Sequence, residues 1–250
     1  MAKRAIVSIE GVGKIYRRKG FGRTVSVSAL SDFTLEVFEG EIMGLLGLNG
    51  AGKTTVMKLL TGLIFPTTGK VSVFGMDPRE PRAKNGIGFL PELPYFPPHL
   101  RPYDALRYYG LLSGMSNAEL SGALPAVIRK VGLEPHASKK ISEFSKGMLQ
   151  RLGLAQAVLH SPRLLILDEP VSGLDPLAIH DMRGFISGLQ AEGRTILLSS
   201  HSISELEKIC DRVIILSGGR KARSVERKDW ETAPGALESI FVDAVRTTAL

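Results

Sequence analysis

The chain has a single cysteine, Cys210, among 250 residues. A disulfide framework within it is therefore excluded. Cys210 is expected to be a small buried hydrophobe in a protein of a reducing compartment. No apolar run approaches the ~18–20 residues that cross a bilayer. The longest runs, such as Leu164–Leu167 and Val213–Leu216, are strand-sized. The basic start Met1-Ala-Lys-Arg is not followed by the apolar stretch of a secretory signal. Acidic residues are outnumbered, 25 against 32 Lys and Arg, for a net charge of +7. Lys14, Arg17, Arg18, Lys19 and Arg23 form a local basic cluster. Aromatics make up only 6% and are not interleaved with that cluster in the pattern of a nucleic-acid surface. A solvated basic face is expected there.

What is present suits a packed core: 44% of residues are hydrophobic. Ala5–Glu10 alternates like a strand, and a Gly-, Arg- and Lys-rich loop is expected from there to about Val25. Leu35–Phe38 reads as a second strand, and Glu41–Leu46 as an apolar strand running into a glycine-rich stretch. Thr54–Leu60 reads as a helix closed by Thr61-Gly62, followed by strands at Val71–Phe74 and Ile87–Leu90. Pro91, Pro94, Pro97, Pro98 and Pro102 then crowd a boundary segment. From about Tyr103 to His160 the apolar spacing is helical. Beyond it come a buried strand (Leu164–Leu167), a helix, a strand (Thr195–Ser199), a helix (Ser202–Ile209) and a strand (Val213–Leu216). After Gly218 the pattern is weak until a final helix at Leu237–Val245. Strands alternating with helices point to an α/β core with a parallel sheet.

Gly47-Leu48-Asn49-Gly50-Ala51-Gly52-Lys53-Thr54-Thr55 matches the phosphate-loop pattern G-x-x-x-x-G-K-[ST]. The glycines let consecutive N–H groups turn toward phosphate oxygens. Lys53 reaches the β- and γ-phosphates, and the Thr54 hydroxyl suits Mg²⁺. The helix that follows presents its positive end to the same anions. Chance would supply such a match in on the order of one chain in a hundred of this length. The strand before it and the helix after it are the setting the chemistry requires. A second constellation, Leu164-Leu-Ile-Leu-Asp-Glu-Pro170, ends an apolar strand in two carboxylates. Asp168 at the strand tip is placed to hold Mg²⁺. Glu169 is expected to point another way, because strand side chains alternate, and to act as general base.

Further motifs follow in order. These are Phe144-Ser-Lys-Gly-Met-Leu-Gln-Arg151 before the acidic strand, Ser172-Gly-Leu-Asp175 after it, His201 after the strand at 195–199, and Tyr16 near the start. Singly, Ser145 would be a helix cap, His201 a surface or core residue and Tyr16 a half-buried one. Together, from about residue 5 to 225, the sequence resembles the ATP-binding-cassette (ABC) ATPases, with 144–151 as signature motif and 172–175 as D-loop.

The resemblance implies a P-loop NTPase, RecA-like core, an antiparallel β-subdomain and a helical insert, together L-shaped. It implies one ATPase domain over 1–230, with core 1–92 and 162–230, an insert at about 93–161, and an extension at 231–250 bearing a short helix. It also implies an ATPase that takes ATP and Mg²⁺ between two facing copies. Tyr16 would stack on adenine, and Ser145 and Gly147 would reach the opposite γ-phosphate. His201 would contact the γ-phosphate, and Asp175 would touch the other copy. Glu92 stands where the family's Q-loop glutamine is expected and would join Thr54 and Asp168 at Mg²⁺. Lys146 and Met148 depart from the commoner signature residues.

The implied partners are a second ATPase subunit and an integral-membrane permease, as in the exporter-like subset. The protein would then be cytoplasmic, on the inner face of the membrane. The segment Tyr95–Tyr103, with the insert, is expected to face the permease. The alternative is a non-transport ABC ATPase acting on nucleic acid or ribosomes. Such proteins usually carry tandem cassettes or a coiled-coil insert, and neither pattern occurs here.

Overall fold

In chain order the elements are β1 (Ala5–Gly20), β2 (Arg23–Phe38), β3 (Ile42–Leu46), α1 (Lys53–Leu60), β4 (Thr68–Val73), the short α2 (Pro81–Lys84), β5 (Ile87–Leu90), α3 (Pro102–Leu112), α4 (Asn117–Lys130), α5 (Lys146–Val158), β6 (Leu164–Leu167), α6 (Pro176–Ala191), β7 (Thr195–Ser200), α7 (Ile203–Ile209), β8 (Arg212–Ser217), β9 (Arg220–Glu226) and α8 (Ala236–Thr248). The computed structural model describes residues 4–20, 23–233 and 235–248. The side chains of Arg18, Lys19 and Arg23, three of the basic cluster, lie outside the described ones. Two compact units result, Met1–Lys84 with Thr195–Leu250, and Asn85–Arg194.

The first unit holds two sheets. One is antiparallel, in the order β2-β1-β4. In the other, β7, β3 and β8 run parallel, and β9 pairs antiparallel with β8. Every residue of β3 and β7 is buried, which is why β3 reads as an apolar strand without alternation. An ion pair ties the two sheets together. Glu41 Oε1 lies 2.7 Å from Arg212 Nη2, and both side chains are largely buried. The same guanidinium donates to Glu36 O at 2.6 Å, and Phe38 N donates to Glu41 Oε1 at 2.7 Å. With each charge satisfied several ways, the pair avoids the cost of an isolated buried ion. Cys210 is fully buried, as expected, and burial pushes its thiol far up.

In the second unit β5 and β6 pair in parallel. Helices α3, α4 and α5 enclose a core that includes Leu106, Leu120, Ile128, Leu133 and Leu152. Ser116 and Glu119 form a reciprocal capping box at the start of α4. Among the described residues no helix is long and apolar enough to cross a membrane.

Three expectations need correction. Residues 11–20 and 23–25 are not loop: they belong to β1 and β2, which pair antiparallel, and Leu35–Phe38 is only the end of β2. Register shifts at Ile9/Val12, Val12/Lys14 and Lys14/Ile15 break the two-residue alternation that would have revealed them. The segment after Gly218 contains β9, whose charged, mostly exposed residues hide its strand character. Such residues suit a sheet edge that must not recruit another strand. The last helix spans Ala236–Thr248, longer than 237–245.

Candidate functional site

The phosphate loop leaves the end of β3, a strand with no exposed residue, and enters α1. Its shape is carried by glycines. Gly50 has φ 81° and Gly52 φ 112°, conformations that side chains resist. Ala51 N donates to Leu48 O at 3.1 Å, closing the turn. Gly52 is also pressed against β2. A Cβ there would stand 2.9 Å from Ala29 O and from Leu30 Cδ2. Ala29 lies opposite no residue of β1, because the register jumps from Lys14↔Leu30 to Ile15↔Ser28. The bulge thus pushes Ala29 toward the loop. Gly219 joins in, donating to Ala51 O at 3.1 Å and accepting from Ser31 N at 2.9 Å.

Lys53 is 7% exposed, and its ammonium folds back to donate to Gly47 O at 2.7 Å and Leu48 O at 3.4 Å. Among the described residues no side chain caps α1, and its first turn carries no acid. Amide donors at an uncapped helix start, beside an inward-folded ammonium, form a donor set that fits a polyphosphate. The exposed Thr54 hydroxyl is a hard oxygen of the kind Mg²⁺ prefers. Leu48, Asn49 and Gly50 form the exposed rim, and Thr55 is half-buried.

His201 directly follows β7 and is exposed. β7 pairs with β3 in parallel, Ser200 opposite Leu46. His201 and Gly47 therefore leave the same edge of the sheet side by side, where open α/β sheets take their ligands. Tyr16 lies on β1 opposite Val27, 39% exposed. Its strand neighbour Lys14 is paired with Leu30, which meets the loop at Gly52. Tyr16, the phosphate loop and His201 are thus assembled within one unit.

The second unit gathers the remaining residues. Asp168 N donates to Leu90 O at 2.8 Å, so Asp168 extends the β5–β6 pairing by one position. Glu92, exposed, lies two residues past the end of β5 at the same strand edge. Asp168 is 2% and Glu169 7% exposed. Strand alternation, on which the expected direction of Glu169 rested, does not reach this residue. The strand has ended, and Glu169 has φ 49°. A glutamate in this left-handed conformation stores roughly 1–2 kcal/mol of strain.

Ser145 caps α5, its Oγ accepting from Met148 N at 3.3 Å, and Gly147 lies in the first turn. Asp175 caps α6, accepting from Ala178 N at 2.9 Å. The two motifs touch, because the Lys146 side chain lies against Gly173. Lys14, held between the Tyr16 ring and Phe65 O, went unnoticed in sequence beyond its membership of the basic cluster.

A buried parallel strand, a glycine loop with an inward lysine and an uncapped helix define a nucleotide-binding α/β protein of the P-loop kind. The family model described as ABC transporter matches residues 30–172. An uncharacterized ABC transporter ATP-binding protein of Nostoc is 42% identical over 217 residues, 86% of this chain and 64% of its own. The bacitracin transport ATP-binding protein of Enterococcus faecalis is 42% identical over 211 residues, 83% of this chain and 66% of its own. The chain thus spans just under two thirds of the length of these two relatives. A solved structure described as the ATP binding subunit of an ABC transporter superposes with a TM-score of 0.82 at 32% identity, covering 96% of this chain and 99% of that one. The chain belongs to the ABC transporter family.

Proposed function

We propose that the chain binds and hydrolyses ATP to drive an integral-membrane permease, in the direction of export. The observation that carries this is the phosphate loop, where a buried, inward-folded ammonium and an uncapped helix start converge on one strand end. In this reading Lys53 and the amides of 50–55 hold the phosphates, and Tyr16 stacks on adenine. Thr54, Asp168 and Glu92 hold Mg²⁺, which when bound offsets phosphate charge and polarises the γ-phosphoryl group. Glu169 takes the proton of the attacking water, and His201 holds the γ-phosphate.

The chain has one phosphate loop and one signature motif, so a complete pair of sites needs a second ATPase chain, most simply another copy. Ser145 and Gly147 of one copy then serve the nucleotide of the other, and Asp175 faces across the axis. The single ATPase domain of 1–230 with its insert at about 93–161 is retained in this reading, with Tyr95–Tyr103 toward the permease. Leu93, Tyr95, Tyr108, Leu111 and Leu112 are all exposed, which suits an apolar partner. Export, and a place on the cytoplasmic face of the membrane, rest on the motif resemblance and on the transport named for the E. faecalis relative.

The test compares phosphate release by the wild type and Glu169→Gln. Turnover is expected to fall on the order of 10²–10⁴-fold while ATP binding persists. Equal rates would remove Glu169 from the mechanism. Isolation of the tagged chain from membranes should bring with it a polytopic membrane protein. Recovery only with ribosomes or DNA would replace the transport reading.

A further inference from the structure

Lys14 does not behave like a solvated surface lysine. Its ammonium donates to Phe65 O at 2.7 Å and lies 5.1 Å from the centroid of the Tyr16 ring. Neither end of this contact is loose. Residues 13–15 of β1 are stitched to the segment ahead of and into β4. Thr67 N donates to Gly13 O at 2.7 Å, Ile15 N to Thr67 Oγ1 at 3.0 Å and Gly13 N to Thr68 Oγ1 at 3.2 Å. The register with β2 shifts on both sides of Lys14, and such irregularities re-aim side chains beside functional sites. A long flexible side chain is thereby fixed with its charge against one particular aromatic ring.

We propose that Lys14 is a positioning residue for nucleobase binding, which fixes the Tyr16 ring from one face so that the other face receives adenine. This rests on the reading that Tyr16 stacks on the base. A cation over a ring is attracted by its negative face. It limits rotation of the Tyr16 side chain before ligand arrives, so less conformational freedom is lost on stacking. The effect belongs to the base. Phosphate binding, which depends on Lys53 and the loop amides, should not sense it.

The experiment is equilibrium binding of ATP and of inorganic tripolyphosphate, both with Mg²⁺. The proteins are the wild type, Lys14→Met, Lys14→Arg, Tyr16→Ala and the Lys14→Met/Tyr16→Ala double variant. Lys14→Met should weaken ATP about threefold and leave tripolyphosphate unchanged. Lys14→Arg, which keeps the cation, should restore ATP binding. In the Tyr16→Ala background Lys14→Met should have no further effect on ATP. Equal weakening of both ligands would mean that Lys14 only braces the Phe65 segment, and would overturn the proposal. So would unchanged ATP binding by Lys14→Met while Tyr16→Ala weakens it. If Tyr16→Ala itself left ATP binding intact, the stacking role of Tyr16 would fail first, and this inference with it.

Discussion

The phosphate loop bends away from β3 through glycines, whereas the acidic turn bends away from β6 through a glutamate. Both follow strands in which every residue is buried. Both need a backbone conformation that ordinary side chains resist. At Gly50 and Gly52 the residue type removes the strain, with φ of 81° and 112°. At Glu169 the strain is kept, φ 49° on a glutamate followed by Pro170. A loop that binds through its backbone needs no side chain there. A turn that must present a carboxylate cannot use glycine. The difference separates a surface made for gripping from one made for chemistry.

The largest effect that would sharpen this contrast lies in turnover. Glu169→Gly and Glu169→Gln should both lose hydrolysis on the order of 10²-fold or more. If the glycine variant kept wild-type turnover in a phosphate-release assay, the strained carboxylate would have no chemical role. Next comes stability at the glycines. Gly52→Ala combines an unfavourable φ with a Cβ 2.9 Å from Ala29 O, and should cost about 3 kcal/mol in denaturant unfolding. At Gly50 a Cβ would meet nothing within 4 Å, so Gly50→Ala should cost only about 1 kcal/mol of backbone strain. Equal costs would show that packing against β2 is not what demands Gly52.

A smaller effect compares the two Glu169 variants with each other, since neither retains the carboxylate. Glu169→Gly should be the more stable by about 1 kcal/mol, because only glycine relaxes in the left-handed region. A more stable glutamine variant would mean that the positive φ stores no strain.

The smallest effect concerns His160, away from both turns. Its Nε2 lies 3.1 Å from Ile87 O. Burial holds its imidazole below the ordinary value of 6.5, against the opposing pull of that carbonyl. A depressed folded pKa means that the unfolded chain takes up the proton first. The His160 contribution is therefore complete above about pH 6.5 and is lost as pH falls through the folded value. Thermal melts of wild type should drop more between pH 7.5 and 5.5 than those of His160→Gln. Parallel curves would dismiss His160 as a source of acid sensitivity.

Much of the core was legible because its signals are local. The apolar runs at Ile87–Leu90 and Leu164–Leu167 coincide with β5 and β6, since strands covered on both faces need no alternation. Gly62, φ 67°, ends the first turn region after α1 as a helix-terminating glycine should. The β1–β2 pair was not legible. Its bulges scramble the period, and its Lys and Arg residues have little strand preference of their own. Nor was β9, whose residues mostly face solvent and pair along the edge that β8 offers.

The sequence by itself determined the chemistry at hand: a lysine in a glycine loop, two carboxylates at a strand end, and serine and aspartate at helix starts. These are determined by short-range order, because neighbouring residues share one backbone path. Only the tertiary structure decided that Ala29 presses on Gly52, that Lys14 is held over Tyr16, and that Lys146 rests on Gly173. The first and third join segments distant in the chain, and the second depends on Phe65 O, 51 positions from Lys14. They exist because bulged strands and packed turns bring distant segments within van der Waals reach, a condition no local pattern encodes.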